Sequence, residues 1–151
     1  MDPNIALSHL IHKPTDSAAN FAKWLFRLAG IYGMVVLLPL YFLEFGAGLG
    51  LGVPVPFPHP EHFYGFIGVA LAWQFVFIVI AQDVRRYRPL MLCGIVEKFL
   101  FGFAMVILYV QGRVGADVVS VGGVDLALGL LFVIAFRVTR GLDTSLEVNG
   151  D

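Results

Sequence analysis

Residues 90–110 read LMLCGIVEKFLFGFAMVILYV. A helix needs about 20 mostly apolar residues to cross a bilayer core roughly 30 Å thick. This run supplies them, apart from one adjacent pair of charges, Glu97 and Lys98. An ionisable group near the centre of a span costs about 2.5–3.5 kcal/mol on insertion scales. The stretch therefore reads as a transmembrane helix whose two charges need a partner, a water pocket or a task.

The rest of the chain agrees with a membrane reading. It has 151 residues, 58% hydrophobic and 14% charged, with mean hydropathy +0.82. Soluble domains are nearer half apolar and a quarter charged. Three more windows are long enough to span, at about 22–45, 63–81 and 119–138. The expected class is all-α, an integral membrane four-helix bundle with antiparallel up-down topology. Residues 1–21 are expected to form a polar N-terminal segment, 22–138 the membrane domain and 139–151 a tail. The first twenty residues are too polar for a secretory leader, so the first span should direct insertion itself.

Basic residues predict the threading. Lys13, Lys23 and Arg27 precede or open span one, Arg85, Arg86 and Arg88 fill the second loop, and Arg137 and Arg140 close span four. Only Arg113 lies on the other side. By the positive-inside rule both termini and the second loop are cytoplasmic, which predicts a multi-pass membrane protein. The first loop, GAGLGLGVPVPFPHPEH, carries four prolines and cannot continue a helix. Pro39 should bend span one. Gly30 with Gly33, Gly68 with Ala72, and Gly123 with Ala127 offer faces for close helix packing.

Two groups of polar residues are candidates for a site. Glu97 lies seven residues into span three, about 10 Å deep at 1.5 Å per residue, and Gln74 is comparably deep in span two. The short second loop suggests that spans two and three pack as a hairpin. An inner polar pocket of Arg27, Gln74, Glu97 and Lys98 follows. Adjacent residues point about 100° apart on a helix, so Glu97 and Lys98 cannot both face the bundle axis. Lys98 is expected to snorkel to the headgroups, leaving Glu97 as the inward residue. The bland alternative is a structural ion pair of Glu97 with Arg27 or Lys98.

The outer group comprises Glu44, His59, Glu61, His62 and Asp125. Imidazole and carboxylate together suit a divalent metal. Pro60 after His59 denies the two histidines a regular helical spacing unless His59 is a cap. HPEH is read instead as the start of span two, with Pro60 in its first turn and Glu61 complementing the helix dipole. No metal site and no cofactor are expected. Asp125 either caps a late-starting helix or faces a cavity.

The marks FYGFIG, YRPLM, EK and VDLALGLLFVIAF resemble small bacterial four-helix membrane proteins of the broad DoxX-like assemblage, a resemblance that would cover the four spans, roughly residues 20–140. That resemblance implies a four-helix fold, a bacterial membrane and, for some such proteins, quinone-linked redox complexes. It carries over no catalytic residues here.

Several classes are disfavoured outright. A net charge of −1 gives no basic field for nucleic acid. Cys93 is the single cysteine, so no intrachain disulfide or CxxC pair exists. No P-loop, HExxH, GxSxG or GxGxxG occurs, and no catalytic constellation is visible. The leading expectation is a non-enzymatic protein that binds a lipid or small apolar ligand near Glu97, or serves as an accessory subunit. A proton- or ion-coupled transporter, with Glu97 and Asp125 as inner and outer stations of a homo-oligomer, is the alternative. A quinone-linked redox subunit is third. Membrane lipids and a second copy or larger complex are the expected partners.

Overall fold

The computed structural model describes residues 3–42 and 59–140, with side chains from Ser17 onward. The regular elements among the described residues are all helices, without strands. Helix α1 spans Pro3–Leu37 and passes directly into a 3-10 segment, Leu38–Phe42. Helices α2 (Pro60–Gln82), α3 (Arg88–Val110) and α4 (Ala116–Val138) each have 23 residues. At 1.5 Å per residue each is about 34 Å long, enough for a bilayer core. Four helices are thus long and apolar enough to cross a membrane, the first over Ser17–Phe42.

Local chemistry sets the boundaries. The polar stretch before span one is helical from Pro3 and continuous with that span. Pro39 sits inside the 3-10 segment; its missing N–H cannot continue the α ladder, so the helix tightens there. Pro60 and Pro89 occupy the first turns of α2 and α3, where a missing N–H costs nothing. Between these helices Asp83 Oδ1 accepts from the backbone N–H of Arg85 and Arg86 at 3.2 and 3.1 Å. After α3, Gly112 takes φ +68°. The bonds Arg113 N to Leu108 O and Gly112 N to Tyr109 O, both 2.9 Å, form a Schellman motif. The first loop beyond Phe42, with Glu44, and the tail from residue 141 lie outside the described residues.

The helices pair as α1 with α2 and α3 with α4, and α1 joins the two pairs by packing on α4. The expected α2–α3 hairpin contact is slight by comparison. A short turn fixes only the ends of two helices, and close approach along their length depends on what lies between them. On α1, a Cβ at Gly33 would run into the Gln74 side chain and one at Gly30 would meet Gln74 O at 2.9 Å. Those two glycines let α1 approach α2, as the sequence suggests. Gly68 approaches only the Tyr41 hydroxyl, and Gly123 faces open space. The glycine that matters on α4 is its neighbour Gly122.

The apolar core fills one half of the bundle. Phe26, Phe77 and Phe132, from α1, α2 and α4, are fully buried together. Phe26 stacks on Phe132 at 4.1 Å between centroids, and Phe77 meets Phe132 edge-on at 5.1 Å. Met91, Ile80, Ala81 and Val84 complete this cluster next to the 83–88 turn. Arg88 ties the same end together by donating from Nη2 to Phe136 O at 2.9 Å. Large apolar side chains are exposed along all four helices, among them Val35, Phe75, Leu100 and Leu130, as lipid-facing surfaces require.

Candidate intramembrane site

Helices α3 and α4 approach closely because glycines face each other across the seam. Gly94, Lys98 and Gly102 recur every four residues and share one face of α3. Opposite them stand Gly122, Asp125 and Gly129. A Cβ at Gly102 would meet Gly122 O at 3.0 Å, and one at Gly122 would meet Met105 Cβ at 2.6 Å. The backbones therefore touch, and Gly129 lies against Lys98 Cβ. This closeness brings Lys98 and Asp125 together.

Lys98 Nζ donates to both oxygens of Asp125, at 3.1 and 3.2 Å. It also lies 3.4 Å from Glu97 Oε2 and 5.4 Å from the centre of the Phe77 ring. Lys98 is only 5% exposed. The sequence-based assignment of the two neighbours is thus reversed. Lys98 does not reach for headgroups; it turns into the α3–α4 seam, where a carboxylate receives it. Glu97, one residue and about 100° away, keeps a more open side chain, at 20% against 7% for Lys98. With α3 beginning at Arg88, Lys98 lies about 15 Å along the helix, near its midpoint rather than in one leaflet's outer part.

Asp125 is correspondingly removed from the outer group. It neither caps α4, which begins nine residues earlier with Gly115 as its cap residue, nor stands at a different level from Glu97. Both carboxylates meet one ammonium, so inner and outer stations collapse into a single station. Arg27 is also elsewhere: its guanidinium lies over the Trp24 ring at 5.1 Å. Glu97 therefore pairs with Lys98, not with Arg27.

Gln74 does join the site. It is buried, donates Nε2 to Ala70 O at 3.0 Å, and presses Oε1 against Gly33 without a hydrogen-bond donor. Glu97 Oε2, too, accepts no hydrogen bond despite its closeness to Lys98. Two acceptors and one tightly held ammonium thus mark the middle of the bundle.

Around this polar level the bundle is hollow. A cavity of about 940 Å³ is lined by all four helices, with Gln74, Glu97, Lys98, Asp125 and Tyr32 as its polar contributors. Val69 of α2 and Leu92, Val96 and Leu100 of α3 line it while being exposed themselves. Tyr32 and Val36 of α1 and Val121 of α4 line it and are exposed as well, while helix contact is slight between α2 and α3. Phe66 and Phe101 stack across this gap at 5.9 Å, bridging α2 and α3. Cys93 lies on the lining and is exposed.

His59, Glu61 and His62 stay together at the start of α2, away from the ion cluster. His59 is the N-cap residue of α2, and its ring lies 5.4 Å from that of His62. No family model, curated protein or solved structure matches this chain.

Register arithmetic offers a signal for the Lys98–Asp125 pair. Counting outward from the turn at 111–115, Lys98 and Asp125 fall within about one helical turn of each other. The long lysine stem spans the remainder.

Proposed function

We propose that this is a membrane protein that takes a lipid-like, largely apolar ligand from the bilayer into the cavity between α2 and α3. The observation that carries the reading is an apolar cavity at mid-span that includes exposed side chains of α2 and α3 and a few polar groups. The volume falls within the roughly 300–1,000 Å³ of ligand sites, which pair an apolar lining with a few placed polar groups. A ligand would lay its chain along Val69, Val96 and Leu100 and turn its polar end toward Glu97 and Gln74. The Lys98–Asp125 pair holds α3 to α4 and keeps these polar groups in place.

In this proposal the four helices run antiparallel in a bacterial inner membrane. Both termini and the arginine-rich 83–88 turn are cytoplasmic, supported by the bias of Lys and Arg. Introduced cysteines in a Cys93→Ser background, labelled by an impermeant reagent, test that threading.

The ligand proposal is tested by mass spectrometry of molecules retained after purification in mild detergent. Wild-type protein should retain an amphiphile enriched over the bulk membrane, and Val69→Trp with Val96→Phe should lose it. Identical, unenriched extracts from both proteins would refute it.

A proton-coupled transport reading is favoured by one specific feature: two carboxylates share a single ammonium at mid-span. It requires proton-dependent flux in proteoliposomes that Glu97→Gln abolishes, and no flux from wild-type protein would dismiss it.

A further inference from the structure

We propose that His59, Glu61 and His62 form a binding site for a zinc-like divalent cation at the end of α2 remote from the arginine-rich turn. The argument is independent of the intramembrane cavity. Ligand-capable atoms of the three side chains all lie within 4.8 Å of one another. Tetrahedral zinc with bonds of about 2.0–2.1 Å places its ligand atoms about 3.4 Å apart. His59 Nδ1 and Glu61 Oε1 are already 3.3 Å apart, and His62 Nε2 lies 4.0 Å from the same carboxylate oxygen. Sub-ångström to ångström rotations of exposed side chains therefore close the set around one ion.

The backbone explains why such a short segment converges. Pro60 starts the helix, and His59 O accepts from His62 N at 3.1 Å and from Phe63 N at 3.2 Å. These bonds hold His59 and His62 one turn apart, with ring centroids 5.4 Å from each other. His59 makes no side-chain capping bond; its ring turns to Glu61 instead. The positive end of the helix dipole opposes a cation here, and the Glu61 carboxylate offsets it.

Two imidazoles and one carboxylate select borderline ions such as zinc, copper or nickel over magnesium or calcium, which take oxygen ligands. Three protein ligands leave a fourth position for water or another donor.

The test uses tag-free, chelator-stripped full-length protein in detergent micelles, titrated with Zn²⁺ by calorimetry and with Co²⁺ by visible absorption. One equivalent should bind, with tetrahedral cobalt bands, and excess Mg²⁺ should not compete. His59→Ala and His62→Ala should each weaken binding at least tenfold, and Glu61→Gln should do so to a lesser degree. All three side chains are exposed, so unchanged melting without metal should accompany the loss. No binding at one equivalent, or binding undiminished in both histidine variants, would overturn the proposal.

Discussion

Replacing Lys98 with Met removes the only cation from a cluster of two carboxylates and separates their roles most sharply. In the wild-type protein Lys98 Nζ lies 3.1 and 3.2 Å from Asp125 and 3.4 Å from Glu97. Its removal strands both acids near mid-span. Breaking a buried ion pair by deleting one partner costs about 3–5 kcal/mol, and two stranded acids put Lys98→Met at the upper end of that range. Asp125→Asn should cost less, because Lys98 then retains Glu97 and the local charge balances. Glu97→Gln should cost least, since Glu97 Oε2 makes no hydrogen bond and the side chain is the most open of the three. The triple change to Met, Gln and Asn should recover much of the loss, because replacing a buried charged cluster altogether is often close to neutral. Thermal unfolding in micelles, extended to double-mutant cycles, reads this order. A Lys98→Met protein as stable as wild type, or a stronger coupling of Lys98 to Glu97 than to Asp125, would refute the assigned geometry.

Other consequences follow from the same contacts. Gly122→Val should destabilise by about 1–3 kcal/mol through overpacking, because its Cβ would overlap Met105. Gly123→Ala, facing open space inside α4, should leave the melting temperature unchanged or slightly raised, and the same melts compare the two. Phe132→Ala should cost about 3–5 kcal/mol, since it empties the centre of the buried aromatic trio. In a Trp24→Phe background, lipids brominated along their chains should quench Trp73 fluorescence, because Trp73 lines the cavity. Filling that cavity with Val69→Trp would add a fluorophore, so Val69→Phe is the matched control and should weaken the quenching.

The membrane character and the four helices were legible in the chain because each apolar run stands alone between polar or proline-rich breaks. The helix pairing was less so. A short 83–87 turn suggested that α2 and α3 pack along their length, but the two helices are held apart by a cavity and meet through the Phe66–Phe101 stack. The glycine seams instead lie between α1 and α2 and between α3 and α4. Gly122 and Gly123 differ by one residue and about 100°, and composition alone does not say which one faces α3. Lys98 misled for a similar reason. A long stem permits snorkelling, yet the carboxylate that outcompetes the headgroups is 27 positions away, on another helix. Glu97 and Gln74 were recognisable from depth alone, whereas Arg27 was grouped with them by reach and instead stacks over Trp24.

In the proposed function Lys98, held by Asp125 and Glu97, lies beside a mid-span cavity that lipid reaches between α2 and α3. A high-resolution electron cryomicroscopy map of the protein in lipid nanodiscs tests it most directly. The account predicts elongated density between Val69 and Val96 ending near Glu97, with the Lys98 side chain directed at Asp125. A closed α2–α3 gap without such density, or a Lys98 side chain extended to the headgroups, would contradict it.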